Sequence, residues 1–185
     1  MKRIFTAIAL GACGGGSTAA IDAPTKLPDA PDGSTSITGT VGGTTFTSAM
    51  SPYWIGSPDS PSTDTVIYIF DHAVGCDQIV NPGWDTTLVA GTQILEMKMV
   101  GMAPKAYPVT TAASHIPAPG ESAASYTVAA AGATDMIAAG GTVTLSSLGT
   151  PVAGQFAVGT FHIVFGGGTL DGKFTAPFCM KGREP

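Results

Sequence analysis

The sequence predicts an all-β fold: an antiparallel β-sandwich or barrel closed by a C-terminal hairpin, following a signal peptide and a flexible tether. Three observations carry this. Only 11% of the 185 residues are charged while 44% are hydrophobic, which excludes a chain kept unfolded by its own charge. Gly (25) and Pro (14) break the sequence too often for a helical bundle or coiled coil. Short runs of β-branched and aromatic residues recur between Gly, Pro, Asp and Asn, which is the pattern of short strands joined by turns.

The elements follow in order. Ile37–Val41 and Thr44–Ala49 flank Gly42-Gly43, a hairpin signal because both turn positions accept positive φ. Thr65–Asp71 carries Val66-Ile67-Tyr68-Ile69-Phe70, apolar on both faces, and reads as a central strand. In Thr92–Val100, Leu95, Met97 and Met99 alternate with Glu96 and Lys98, so this strand has one wet side. Tyr107–Thr110, Ser125–Ala129 and Thr142–Leu148 are shorter candidates, and the Ala-rich Ser122–Ala139 leaves a turn or two of helix open. Gln155–Phe165 and Thr169–Phe178 form the last hairpin across Gly166-Gly167-Gly168. Phe161, Ile163 and Phe165 share one face of its first strand, and Leu170, Phe174 and Ala176 one face of its second. Gly159 within the first strand marks a bulge or a close backbone approach.

The first thirteen residues read as an address. Met1-Lys2-Arg3 is basic, Ile4 to Leu10 is apolar, and Gly11-Ala12 are small residues before Cys13. Leu10-Gly11-Ala12-Cys13 resembles the lipobox of bacterial lipoproteins. The resemblance implies a signal peptide over 1–12, cleavage before Cys13, and a lipid on the Cys13 thiol and the new amine. Acyl chains contribute about 0.8 kcal/mol per buried CH₂, so several of them hold a protein at a membrane. The leader is shorter than the ~15–30 residues usual for secretion, which leaves a start codon upstream of Met1 open. Losing Lys2 and Arg3 with the leader takes the formal charge from −5 to −7. By the family's sorting rule, Gly14 in place of Asp implies the outer membrane. No other apolar stretch approaches the ~20 residues that a membrane-spanning helix needs.

Residues 13–35 form the lipidated Cys and a linker. From 14 to 35 Gly, Ser, Ala, Pro and Asp dominate and no apolar period appears. A chain of this length and flexibility averages roughly 26 Å end to end, enough to lift a domain clear of lipid headgroups. Residues 36–185 are then one β-sandwich domain.

With Cys13 lipidated, Cys76 and Cys179 remain, and outside the cytosol such a pair is expected to be a disulfide. The competing reading is metal ligation by His72, Cys76, Asp71 or Asp77 with His162, but no paired-ligand spacing supports it and no metal is expected.

Catalytic motifs are sparse. There is no G-x-S-x-G and no H-E-x-x-H. Gly167 to Lys173 satisfies G-x-x-x-x-G-K, but Phe174 follows where a phosphate loop needs Ser or Thr, and a hairpin is the wrong context. His72, His115 and His162 lack an activated Ser. Asp59, Asp64, Asp71, Asp77 and Asp85 cluster in the first half, a source of paired carboxylates or loop oxygens for Ca²⁺, though Asp in such loops is ordinarily turn chemistry. No cofactor is expected, and an acidic chain with few basic residues is no partner for nucleic acid. Tyr53, Trp54 and Trp84 lie beside Pro, Gly and Asp and could stack on sugar rings or a protein ligand; the plainer alternative is that the tryptophans plug the ends of the sandwich.

Most of the chain resembles a loose group of bacterial secreted or surface lipoproteins, through the lipobox, the tether, the opening Gly39-Thr40-Val41-Gly42-Gly43-Thr44-Thr45-Phe46 and the closing Gly172-Lys173-Phe174-Thr175-Ala176-Pro177-Phe178-Cys179. The resemblance implies a β-domain closed by a strand ending in Cys, and no activity. The expectation is therefore a lipid-anchored envelope protein, not an enzyme, acting as a structural or binding module. The alternative is a polysaccharide-acting hydrolase using loop carboxylates, and a third possibility is a subunit that pairs through an open edge strand.

Overall fold

A computed structural model describes residues 34–46, 49–56, 64–80, 83–111, 117–130 and 135–179. The leader, Cys13, the linker up to residue 33, Asp59 and His115 lie outside these residues.

The fold is all-β and antiparallel throughout its main ladder. Its strands are β1 (Ser36–Val41), β2 (Thr44–Thr45), β3 (Ser51–Gly56), β4 (Asp64–Phe70), β5 (Gln93–Val100), β6 (Ala106–Pro108), β7 (Ser122–Val128), β8 (Met136–Leu148), β9 (Phe156–Phe165) and β10 (Gly168–Pro177). A single-turn helix α1 (Cys76–Ile79) and a 3-10 turn (Trp84–Thr87) interrupt the run after β4. The order across the sheet is β2-β1-β10-β9-β8-β7-β5-β4-β3, with β6 on the side of β8. The sheet curls into a half-barrel. At its far end β3 meets the chain just past β10, where the Cys179 N–H donates to the Trp54 carbonyl at 2.8 Å.

The corner that makes this curl lies in β8. Its first residues, Met136 and Ile137, pair with β7, and from Ala138 onward it pairs with β9. Register shifts at Ala138/Gly140 and Leu145/Ser147 bend the strand, as bulges and side-chain-free positions allow. The bulge suggested by Gly159 thus lies in the partner strand, opposite it, and Gly159 itself is the close approach.

Strand periodicity of two decides the core. Leu95, Met97 and Met99 are fully buried inside the curl with Ile67, Ile69, Trp54, Tyr107 and Tyr126. Phe161, Ile163, Phe165, Leu170, Phe174 and Ala176 join them from the last hairpin, on the faces expected of them. Apolar residues on the opposite face of β4 and β5 make a second cluster, with Phe70, Ile94, Val74, Ile79 and Cys179 buried and Tyr53, Tyr68, Trp84 and Leu88 packed around them. The segment from Val74 to Leu88 covers that face, which is why a strand apolar on both sides is stable here. Cys76 on α1 is joined to Cys179 by a disulfide with 5.6 Å between Cα atoms, so the last strand is tied to the covering segment.

The strand candidate Ser125–Ala129 is β7, which begins three residues earlier at Ser122, and the helical alternative is not taken. Ala124 is buried in the main core opposite Met97, and Ala123 is buried on the other face opposite Lys98, so strand pairing and burial on both faces hold this Ala-rich segment. Gly168 pairs with Phe165, so the last hairpin turns on Gly166-Gly167 alone. The first hairpin turns on Gly42 and Gly43 at φ of 59° and 81°, a conformation only glycine takes without strain. At the near end, Thr35 accepts a hydrogen bond from the Thr175 N–H at 3.1 Å, so the residue assigned to the end of the linker is already held by β10.

Candidate functional site

Outside the curl, the rows of β4, β5 and β7 stand in register. Tyr68 faces Glu96 and Glu96 faces Ser125; two residues on, Phe70 faces Ile94 and Ile94 faces Thr127. The period of two that points Leu95 and Met97 inward therefore places Tyr68, Glu96, Ser125, Ile94 and Thr127 on one outer patch. The 3-10 turn brings Trp84 and Asp85 over one side of it, and Asp135, the residue before β8, closes the other. Together with Gly83 these residues enclose a polar groove of about 330 Å³.

Each wall is held. Thr87 Oγ1 donates to the Trp84 carbonyl and Thr86 Oγ1 to the Gly83 carbonyl, both at 2.7 Å, and Gln78 on α1 braces Thr87 at 3.3 Å. The indole of Trp84 meets Tyr68 edge-on with centroids 5.3 Å apart, and Phe70 likewise at 5.8 Å. Such aromatic contacts contribute about 0.5–1.5 kcal/mol each beyond area burial. Tyr68 hydrogen-bonds to Glu96, and burial followed by the charge of Glu96 pushes its pKa well above the ordinary tyrosine value. Thr127 Oγ1 donates to Asp135. The groove presents three carboxylates, three hydroxyl side chains and an indole, and among the described residues lining it none is Lys, Arg or His. Lys98, next along the same face of β5, is ion-paired with Asp64 at 3.0 Å.

Of the three aromatic residues that could form a platform, only Trp84 lines this groove. Trp54 is removed from that role: it is 0% exposed, packed against Phe178 at 4.8 Å inside the core, with its indole N–H unpaired. Tyr53 is half-buried and its hydroxyl donates to the Val74 carbonyl at 2.7 Å, so it braces the covering segment. Burial raises its pKa.

Among the described residues, the titratable groups singled out by the sequence do not converge into a metal or catalytic cluster. His72 pairs with Asp71 at 2.6 Å, and Asp71 accepts the Gln93 N–H at 2.7 Å, which makes it a structural carboxylate. His162 lies on the outer face of the last hairpin, 2.6 Å from Asp171 directly across the strand pair. Cys76 is consumed by its disulfide. Among the described residues no group of three or more His, Cys, Asp or Glu is placed to hold a metal, and no helix is long and apolar enough to cross a membrane. Gly167 to Lys173 occupies the hairpin turn and β10, with no helix to receive a phosphate.

Glu96, Ser125, Thr127, Tyr68 and Asp135 were not singled out for function by the sequence. The signal for Glu96 was present, as the wet position of an otherwise apolar strand; that Asp135 would meet it depends on how β8 leaves β7. No protein-family model, curated protein or solved structure matches this chain.

Proposed function

We propose that this protein is a lipid-anchored component of the bacterial envelope, directed to the outer membrane by the Gly14 sorting signal, whose β-domain binds a glycan in the groove beside Trp84 without transforming it. The observation that supports the binding role is a partly exposed indole standing over a polar groove of about 330 Å³. A sugar ring has an apolar face and a rim of hydroxyls, which suits an indole beside carboxylate and hydroxyl acceptors. The anchoring role rests on Leu10-Gly11-Ala12-Cys13, with signal 1–12, lipidated linker 13–35 and domain 36–185. In that arrangement the tether sets the reach of the groove from the membrane.

Two measurements test this reading. Mature protein on a glycan array should give discrete positives that Trp84→Ala weakens; a blank array, or positives indifferent to that substitution, removes the groove from the account. Detergent phase separation should move Cys13→Ala from the detergent phase to the aqueous phase, and an unchanged partition rejects the anchor.

Three carboxylates around one groove favour one second reading, a polysaccharide-acting hydrolase. Such an enzyme needs an acid and a nucleophile or base about 5–9.5 Å apart. Release of reducing ends from a bound glycan, lost in Glu96→Gln, would replace the binding module with that enzyme.

A further inference from the structure

We infer that the groove selects an amino sugar, a pyranose carrying a free ammonium group, over neutral and anionic sugars. This rests on the glycan-binding reading and names the sugar class.

The groove brings two different attractions for such a ligand together. The first is the indole of Trp84. An indole face is the best side-chain partner for a cation, and the same face packs the C–H groups of a pyranose, so one residue reads both properties of an amino sugar. The second is the acceptor set. Glu96 is fixed by Tyr68 and Asp135 by Thr127, on opposite sides of β7, while Asp85 comes from the turn that carries Trp84. Carboxylates already held in place form charge-assisted hydrogen bonds to an ammonium with little further ordering.

The surroundings exclude the alternatives. Among the described residues no Lys, Arg or His lines the groove, and the neighbouring Lys98 is occupied by Asp64, so a phosphorylated sugar or a uronate would meet like charge. A bare metal ion is a poorer fit: the carboxylates ring the groove and do not converge within coordination range of a single point. Negative charge spread around an aromatic wall suits a bulky cation with several hydrogen-bond donors. The volume lies at the small end of ligand sites, in keeping with a short stretch of glycan.

The test is equilibrium binding to the full mature protein of three soluble probes: the β-1,4-linked glucosamine tetramer, its fully N-acetylated counterpart, and a galacturonate tetramer. Below the pKa of its amines, the glucosamine tetramer should bind at least about tenfold more tightly than the acetylated form, and the galacturonate should not bind. Asp85→Asn and Asp135→Asn should each reduce that preference, as should added salt. Asp85 is exposed, so its substitution should leave the fold intact and the test does not depend on a fragile variant. Equal binding of the free and acetylated tetramers overturns the amine inference and leaves glycan binding standing. Binding of none of the three, or binding of a lysine-rich peptide in preference to the sugar, overturns both.

Discussion

The ring of Phe174 stands over Gly159, its direct partner across β9 and β10, and Phe161 stands over Gly172 in the same way from the other strand. A Cβ built on Gly159 would lie 2.6 Å from Phe174 Cζ and 2.2 Å from the Thr144 carbonyl oxygen; on Gly172 it would lie 2.5 Å from Phe161 Cζ and 2.2 Å from the Ser36 carbonyl oxygen. Each glycine makes room for the other strand's ring, and each ring fills the space its glycine leaves. The pairing fixes the register of the hairpin, because a shift of one residue would drive both rings onto side chains.

Gly159→Ala and Gly172→Ala should therefore each destabilise the domain by about 1–3 kcal/mol, through displaced rings and backbone. Gly166→Ala, at a position with nothing within 4 Å, should leave stability unchanged. Denaturant midpoints of the three variants check this, and equal midpoints for Gly159→Ala and Gly166→Ala would refute the role given to the rings.

Removing the disulfide should act on the covering segment before the curl. Cys76 and Cys179 are 103 residues apart, and closing a loop of about that length constrains the unfolded chain by about 4.7 kcal/mol in the chain-entropy model. Cys76→Ala with Cys179→Ala should lower stability by up to that amount. Emission of Trp84 should also shift to the red as the segment loosens, while the buried Trp54 keeps its blue emission. Measuring the effect in a Trp54→Phe background isolates Trp84. A blue, unshifted Trp84 would show that the segment is held by its apolar contacts alone.

Strand faces were legible where polar and apolar residues alternate without interruption, as in Leu95 to Met99 and Phe161 to Phe165. They were not legible across Ala138 to Gly141, where small residues carry no pattern and the corner of β8 depends on which neighbour each half of the strand finds. Ala123 and Ala124 left helix open for the same reason: alanine favours helix locally, and burial between strands overrides it. The groove was legible only in part. Trp84 stood out by its type, but Glu96 and Asp135 are 39 positions apart and meet through sheet order, a relation that no local spacing contains. Trp54 had the same loop-like flanks as Trp84 and went to the core, because strand alternation placed it opposite Ile67 on the inner face.

The tyrosines make the fold sensitive to alkali. Tyr53, Tyr68, Tyr107 and Tyr126 all have pKa values raised above 10.0, burial being the largest cause for each. A group whose folded pKa exceeds its unfolded value adds stability that is whole below the unfolded value and is lost as pH rises past it toward the folded one. Stability should thus hold steady at neutral pH and fall from about pH 10 upward, with tyrosinate absorbance appearing only as the chain unfolds. Tyr68→Phe should flatten part of that fall. A tyrosinate signal growing within the folded protein would contradict the burial that raises these values.

Gln93 offers the last prediction. Both ends of its buried amide are engaged: Nε2 donates to the Thr45 carbonyl at 3.2 Å, and Oε1 accepts from the Tyr126 hydroxyl at 3.1 Å. Its backbone N–H donates to Asp71 and its carbonyl accepts the Asp71 N–H, so β2, β4, β5 and β7 meet around one residue. Gln93→Leu keeps the backbone bonds and most of the volume but leaves the buried Tyr126 hydroxyl without its acceptor. Leaving such groups unpaired costs about 1–3 kcal/mol. Tyr126→Phe should then cost less in the Gln93→Leu background than in the wild type, because the hydroxyl it removes has already lost its acceptor. A double-mutant cycle on denaturant unfolding reads this as a coupling of about 0.5–3 kcal/mol. A coupling of zero would mean that the hydroxyl finds water instead, and that this end of the curl is open to solvent.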